Sequence, residues 1–285
     1  MSERDTYNDG EFCWVDLASP DVDASARFYG EMIGWEFQPV PGPPEETGGY
    51  GNLAYNGKLV AGLGGIMGED QPPAWMSYVK TSDADATAER IKEAGGTVLM
   101  EPFDLPGGAG RMAVCQDTEG AVFSLLQPGR HQGAELVNEV GSWTWNNLLT
   151  RDPDTAAEFY GEVFGWSRNQ PDGAPDYIWN WQMEGQRWPE GLAGLMAMGT
   201  DMPSDAPPHW QVYLAVEDLE KALELTKSAG GRLIFGPQDT PGGKFAVAFD
   251  PQGGGLRADR AGLPGPALAA RDAAYQRAVT TFFRV

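Results

Sequence analysis

The chain has 285 residues, room for two domains, and 41% of them are hydrophobic with ten Trp, which excludes wholesale disorder. Its 41 acidic against 20 basic residues leave a formal net charge of -21, a field that repels phosphate backbones and anionic membrane surfaces. No apolar run reaches the roughly 18 residues that span a bilayer, and the start, Met1-Ser2-Glu3-Arg4-Asp5, is unlike a signal peptide. We therefore expect a cytoplasmic protein with no nucleic-acid or membrane partner. Cys13 and Cys115 lie outside any CxxC and read as buried free thiols.

In chain order, a strand-like run from Phe12 to Leu17 leads through Pro20-Asp21 into a segment with apolar positions at helical spacing that ends near Gly34. Gly51 to Tyr55 and Leu59 to Leu63 flank Asn56-Gly57, a hairpin signal. Trp75 to Val79 is again strand-like, Ser82-Asp83 can cap a helix, and Ala94-Gly95-Gly96 can stop it. Each half thus reads strand–helix–strand–strand–strand.

The pattern then starts over. Phe28-Tyr29-Gly30-Glu31 with Gly34-Trp35 recurs as Phe159-Tyr160-Gly161-Glu162 with Gly165-Trp166. Pro72-Pro73-Ala74-Trp75 recurs as Pro207-Pro208-His209-Trp210, and Pro106-Gly107-Gly108 as Pro241-Gly242-Gly243. The offset stays between about 131 and 135 residues, the mark of a duplication. We expect domains over 1–135 and 136–260, with a short polar linker from His131 to Val140. A C-terminal extension, 261–285, opens on a Gly/Pro breaker cluster and reads as helical over Ala267 to Val279.

Paired units of this length resemble the vicinal-oxygen-chelate superfamily, also called the glyoxalase/bleomycin-resistance/dioxygenase family. The residues that carry the resemblance are Trp14-Val15-Asp16-Leu17, Asp21, Ala24 and Phe28-Tyr29, and Trp145-Asn146-Asn147-Leu148, Asp152, Ala156 and Phe159-Tyr160. Asp-Thr-Glu-Gly at 117–120 and Asp-Pro-Gln-Gly at 250–253 look like the family's hairpin before its last strand. The tandem arrangement looks most like two-domain glyoxalase-like proteins of actinobacteria. The resemblance implies an α+β fold: two tandem domains, each of paired βαβββ units forming a curled mixed sheet around a cavity.

In the family's metalloenzymes one residue from each of four strands holds the metal. Carried onto this chain, those positions fall on Trp14 and Met76 and near Ala61 and Ser124 in copy one, and on Trp145 and Gln211 and near Ala193 and Arg257 in copy two. Indole, thioether, methyl and guanidinium groups do not ligate a divalent ion, and neutral amide or hydroxyl oxygens do so weakly. We expect no metal site and no cofactor.

Side chains two apart on a strand share a face. Asp16 then joins Trp14, Tyr78 joins Met76, Asn147 joins Trp145, and His209 and Tyr213 join Gln211. The expected ligand-binding residues are Trp14, Met76, Ser124, Trp145, Asn147, Gln211 and Tyr213, aromatic walls with a few polar groups. Asp16 has two readings: a carboxylate desolvated by Trp14 that exchanges protons, or one bonded to a neighbouring strand or exposed at the rim. Trp179, Trp181 and Trp188 read either as a lid or as packing. His209 reads as solvent-facing at a strand entrance, and Arg257 either meets an anionic ligand or, the favoured reading, is exposed on a frayed last strand. Gly107 to Gly110 lacks the spacing of a phosphate loop and reads as a connection between strands.

Two functions remain. One is metal-independent binding of a small aromatic or hydrophobic metabolite or antibiotic in the domain cavities. The other is a metal-independent isomerase, lyase or cyclase using Asp16 and Tyr78 as catalytic residues for proton transfer. The resemblance also implies that resistance proteins form the cavity across a dimer. Here the tandem copies would supply that pairing in a monomer, or the chain would form a homodimer.

Overall fold

The computed structural model describes residues 3–260, except 69, 70, 172, 173, 175, 186–191, 201, 203–205, 241 and 242; of 45, 46, 240, 243 and 256–260 it describes the backbone alone. The expected extension 261–285 lies outside the described residues. Copy one runs β1 (Phe12–Ser19), α1 (Val22–Ile33), β2 (Glu36–Pro39), α2 (Pro44–Thr47), β3 (Gly51–Tyr55), β4 (Lys58–Gly65), β5 (Ala74–Lys80), α3 (Ala84–Glu93), β6 (Thr97–Asp104), β7 (Gly110–Gln116) and β8 (Val122–Pro128). Copy two runs β9 (Trp143–Thr150), α4 (Pro153–Phe164), β10 (Ser167–Asn169), β11 (Ile178–Gln182), β12 (Ala193–Ala197), β13 (His209–Val216), α5 (Leu219–Ser228), β14 (Arg232–Thr240), β15 (Gly243–Phe249) and β16 (Gly255–Arg260).

Local chemistry sets the helix ends. Asp21 caps α1 by accepting from the Ala24 amide, and Asp152 caps α4 by accepting from Asp154 and Thr155. Gly34 and Gly165 end these helices at φ 87° and 71°, a left-handed conformation that only glycine adopts freely. Asn56-Gly57 turns β3 into β4 with both φ values positive, as the hairpin signal requires.

Each copy builds one eight-stranded sheet, in the orders β2-β3-β4-β1-β5-β8-β7-β6 and β10-β11-β12-β9-β13-β16-β15-β14. The first strands of the two units, β1 and β5, meet antiparallel at the centre, and β4 and β8 flank them in parallel. Copy two repeats the arrangement with β9, β13, β12 and β16. The last strand, read as frayed, is instead paired on both sides, with β13 and β15.

One face of each sheet carries the helices, and the two copies meet through these faces. A single apolar cluster runs through both, from Val15, Leu17 and Phe123 to Phe159, Trp181 and Trp210. The Phe12 ring lies 5.5 Å from Trp166 and 5.0 Å from Trp210. The motifs that recur in the sequence do their work at this junction, and they do it reciprocally. Tyr29 donates to Asp250 of the copy-two hairpin at 2.8 Å, and Tyr160 donates to Asp117 of the copy-one hairpin at 3.1 Å. Trp75 and Trp210 donate to those same tyrosine hydroxyls, at 3.2 and 2.9 Å. Trp35 donates to the Gly141 carbonyl, and Trp166 to that of Gly10. Asp117 and Asp250 each also accept two amides of their own hairpins, so both carboxylates are fully engaged although buried.

The segment read as a short polar linker is partly built into the fold. Tyr7 donates to the Ala134 carbonyl at 2.6 Å, the Ala134 amide donates to Cys13, and Leu136 and Val137 are buried. Cys13 and Cys115 are buried free thiols. Among the described residues no helix is long and apolar enough to cross a membrane.

Candidate functional site

The other face of each sheet is concave and carries no helix. Residues paired across neighbouring strands share a face, so the registers define rows of side chains running across it. In copy one, one row is Asn52, Gly62, Asp16 and Met76, and the next is Trp14, Tyr78 and Ser124. The residues expected on this cavity face are therefore brought together. Trp14, Tyr78 and Ser124 are buried, while Asp16 and Met76 are partly so.

Asp16 is held by two phenols. Tyr78 donates to its Oδ2 at 2.7 Å and Tyr50 at 3.3 Å, while the Trp14 indole N–H donates to Tyr50 at 3.2 Å. Burial pushes the Asp16 carboxyl up to about 6, opposed by the bonds from Tyr78 and Tyr50. Burial, and then the Asp16 charge, hold both phenols well above their ordinary range. The structure combines parts of both readings of Asp16: the carboxyl is desolvated, and it is bonded to Tyr78 of the neighbouring strand.

Tyr50 and His131 belong to this face and were not anticipated. Tyr50 lies across Gly62 and Gly64, where a Cβ would collide with its ring or hydroxyl. Those alternate glycines in β4 are the available signal: a strip of bare backbone wants a large neighbour. His131, in the segment read as linker, packs edge-on against Trp14 with ring centroids 4.3 Å apart. Burial lowers its pKa to about 4, which leaves the imidazole neutral at neutral pH.

In copy two the corresponding row is Asn180, Gly194, Asn147 and Gln211, followed by Trp145 and Tyr213. Asn147 and Asn180 are 1% and 2% exposed, and the Nδ2 of each is buried without a hydrogen-bond partner. Asn147 packs onto the bare backbone of Gly194, where a Cβ would collide with its Oδ1. A separate apolar cluster fills the rest of this face: Leu149, Ile178, Met196, Met198, Phe235, Phe245 and Val247 among others. Tyr50 of copy one corresponds in register to Ile178, and Gly64 to Met196. Tyr50 thus has no phenol counterpart beside Asn147, whereas Tyr78 corresponds to Tyr213.

Several expectations change. The positions placed near Ala61 and Ala193 sharpen to Gly62 and Gly194, which the registers put opposite Asp16 and Asn147. His209 opens β13 and is half-buried: it pairs with Leu149, lies near the Pro207 carbonyl, and has its pKa lowered by burial. Trp179 and Trp181 point to the helix-bearing face and join the shared core, which makes them packing. Trp188 and the Arg257 side chain lie outside what the structure describes. Each helix-free face belongs to one sheet and the copies pack back to back, while a cavity of about 1210 Å³ lies between them, lined by α1 of copy one and α5 of copy two.

The ligating positions do not suit a metal. Around Asp16 stand indole, thioether, phenol, hydroxyl and glycine; around Asn147 stand indole, carboxamide, phenol and glycine. Among the described residues no three His, Cys, Asp or Glu side chains gather where they could hold an ion. A hard or borderline divalent cation needs anionic oxygen, imidazole or thiolate donors, and these rows offer one carboxylate already committed to two phenols.

This architecture is known elsewhere. The family model of the Glyoxalase/Bleomycin resistance protein/Dioxygenase superfamily matches residues 12–125 and again 142–256. The chain belongs to that superfamily, as a tandem pair of its domains. It is 38% identical over 263 residues to the putative glyoxylase CFP32 of Mycobacterium tuberculosis, covering 89% of this chain and 95% of that protein. It is 35% identical to the anthracycline biosynthesis protein DnrV of Streptomyces peucetius, covering 87% and 92%. Among solved structures, the Mn(II)-bound glyoxalase from Novosphingobium aromaticivorans superposes with a TM-score of 0.61 at 16% identity, over 93% of this chain and 84% of that one. This last likeness is one of fold.

Proposed function

We propose that the chain binds a small, flat, largely apolar molecule on its concave faces without the help of a metal. The observation that carries this reading is the chemistry of the two rows. At the positions where the family's metalloenzymes place ligating side chains, this chain places indole, thioether, hydroxyl and amide groups, with phenols beside them. Such a set suits stacking, dispersion and a few directed hydrogen bonds. Relatives named as anthracycline biosynthesis proteins accord with a ring-containing ligand. Trp14→Ala or Trp145→Ala should weaken such a ligand at least tenfold in a fluorescence titration, and Asp16→Asn should change affinity little. Elemental analysis of protein purified without chelator tests the other half of the proposal. Stoichiometric manganese, iron, nickel or zinc would overturn it.

One observation favours a second reading, metal-independent proton-transfer catalysis in copy one. A carboxyl pushed up to about 6 and bonded to Tyr78 is poised to exchange a proton near neutral pH. An isomerase, lyase or cyclase of this kind would lose turnover in Asp16→Asn and in Tyr78→Phe while keeping substrate affinity. Unchanged turnover in either variant would sink this reading.

A further inference from the structure

The cavity of about 1210 Å³ between the copies belongs to neither concave face. It lies where the last turn of α1 meets α5, with Tyr55, Val140 and Lys244 completing its walls. Part of its lining is apolar: Met32, Tyr55, Val140 and Leu225 are each only half-buried. The rest is acidic, with Glu31, Glu217, Asp218, Glu220 and Glu224 against Lys221 and Lys244. Glu220 pairs with Lys244 at 3.3 Å, and Asp218 caps α5 by accepting the Lys221 amide. Among the described residues Glu31, Glu217 and Glu224 make no ion pair, and all three are exposed. This groove is therefore suited to an amphipathic segment that carries positive charge.

We propose that the chain's own C-terminal extension, 261–285, docks in this groove. The chain leaves β16 at Arg260, which pairs with Val216, the residue just before Glu217 at the edge of the groove. The extension thus starts where the groove starts. Ala261 to Pro266 can cross about 20 Å when extended, and the helical reading of Ala267 to Val279 gives a length of about 20 Å, enough to lie along α5. Leu268, Tyr275 and Val279 fall at i, i+7 and i+11, one stripe of such a helix, for the half-buried Met32 and Leu225. In a strongly acidic protein this segment is basic: Arg271, Arg277 and Arg284 against Asp272 alone. Its charge is opposite to that of the groove. So placed, the extension touches α1 of copy one and α5 of copy two and clasps the copies across their junction.

Hydrogen exchange followed by mass spectrometry on the full chain tests this. Amides within Ala267 to Val279 should exchange about tenfold more slowly than those of an unstructured chain. Glu217→Lys with Glu224→Lys, both at exposed positions, should speed that exchange about fivefold and leave the amides of β1 and β9 unchanged. Arg271→Glu with Arg284→Glu should do the same, and the two pairs combined should recover most of the protection. An unprotected extension in the native protein would overturn the proposal, because the groove would then be left for some other partner. Protection indifferent to both charge reversals would overturn it too, as a helix that forms alone or docks elsewhere. Protection that rises with protein concentration would place the extension in the groove of a second copy and equally overturn it.

Discussion

The two concave faces are built on the same registers and carry opposite solutions to the same problem. At one position an acid, Asp16, is partly buried and answered by Tyr50 and Tyr78; at its equivalent an amide, Asn147, is buried with its Nδ2 unanswered. The exchange is concerted. Where copy one pairs a bare Gly64 with a large Tyr50, copy two pairs Met196 with Ile178, similar bulk redistributed between neighbouring strands and stripped of its hydroxyl. Met76 opposite Asp16 becomes Gln211 opposite Asn147. The helix-bearing faces did not diverge in this way: the tyrosine, tryptophan and aspartate contacts between the copies are matched one for one. Packing of the copies against each other is the shared property, and the concave chemistry is the individual one.

The largest expected effect tests the shared part. Asp117→Ala and Asp250→Ala each strip a buried hairpin of a side chain that accepts two amides and a phenol. Each should destabilise the protein by about 3 kcal/mol in denaturant titration, and by similar amounts. A difference of more than about 1 kcal/mol between them would break the symmetry of the junction.

The next effect separates the copies by pH. Asp16 has an ordinary value of 3.8 and is pushed up to about 6 in the fold. Below pH about 4 the carboxyl is protonated in both states and exacts no penalty; as pH rises towards 6 the unfolded chain ionises first, so stability falls and then levels off. Asp16→Asn should remove that slope and leave the protein more stable at pH 7 by on the order of 2 kcal/mol. Asn147 cannot titrate, so its substitution should leave the slope in place.

A smaller effect has an unusual sign. Asn147→Leu removes an unpaired buried donor and should stabilise the protein without ligand by about 1 kcal/mol, seen as a raised melting temperature. Smallest of all, Tyr50→Phe should cost about 0.5 kcal/mol, because its bond to Asp16 is long, and should move the Asp16 titration upward. No shift in that titration would mean that Tyr78 alone sets it.

Much of this is legible in the sequence. The duplication, the capping aspartates Asp21 and Asp152, the Asn-Gly hairpin and the facing of Trp14 with Asp16 all depend on residues close together in the chain. The sequence places the β4 position only near Ala61, because the parallel pairing of β1 with β4 decides between Ala61 and Gly62, and a one-residue slip in register exchanges the faces. Asn180, Tyr50 and His131 were missed for a related reason. Nothing near them in sequence says that they lie beside Asn147, Asp16 or Trp14; only the strand order and the return of the chain past β1 bring them there.

The covalent link between the copies has a consequence for descent. In a symmetric dimer of separate identical chains, one substitution alters both ligand faces and both halves of the junction at once. Once the halves share a chain, their association no longer depends on concentration, and each face can be altered while the other stays as it was. The reciprocal grip of Tyr29 on Asp250 and of Tyr160 on Asp117 is then the inheritance of a pair that had to match. Asp16 and Asn147 are the record of two halves that no longer had to.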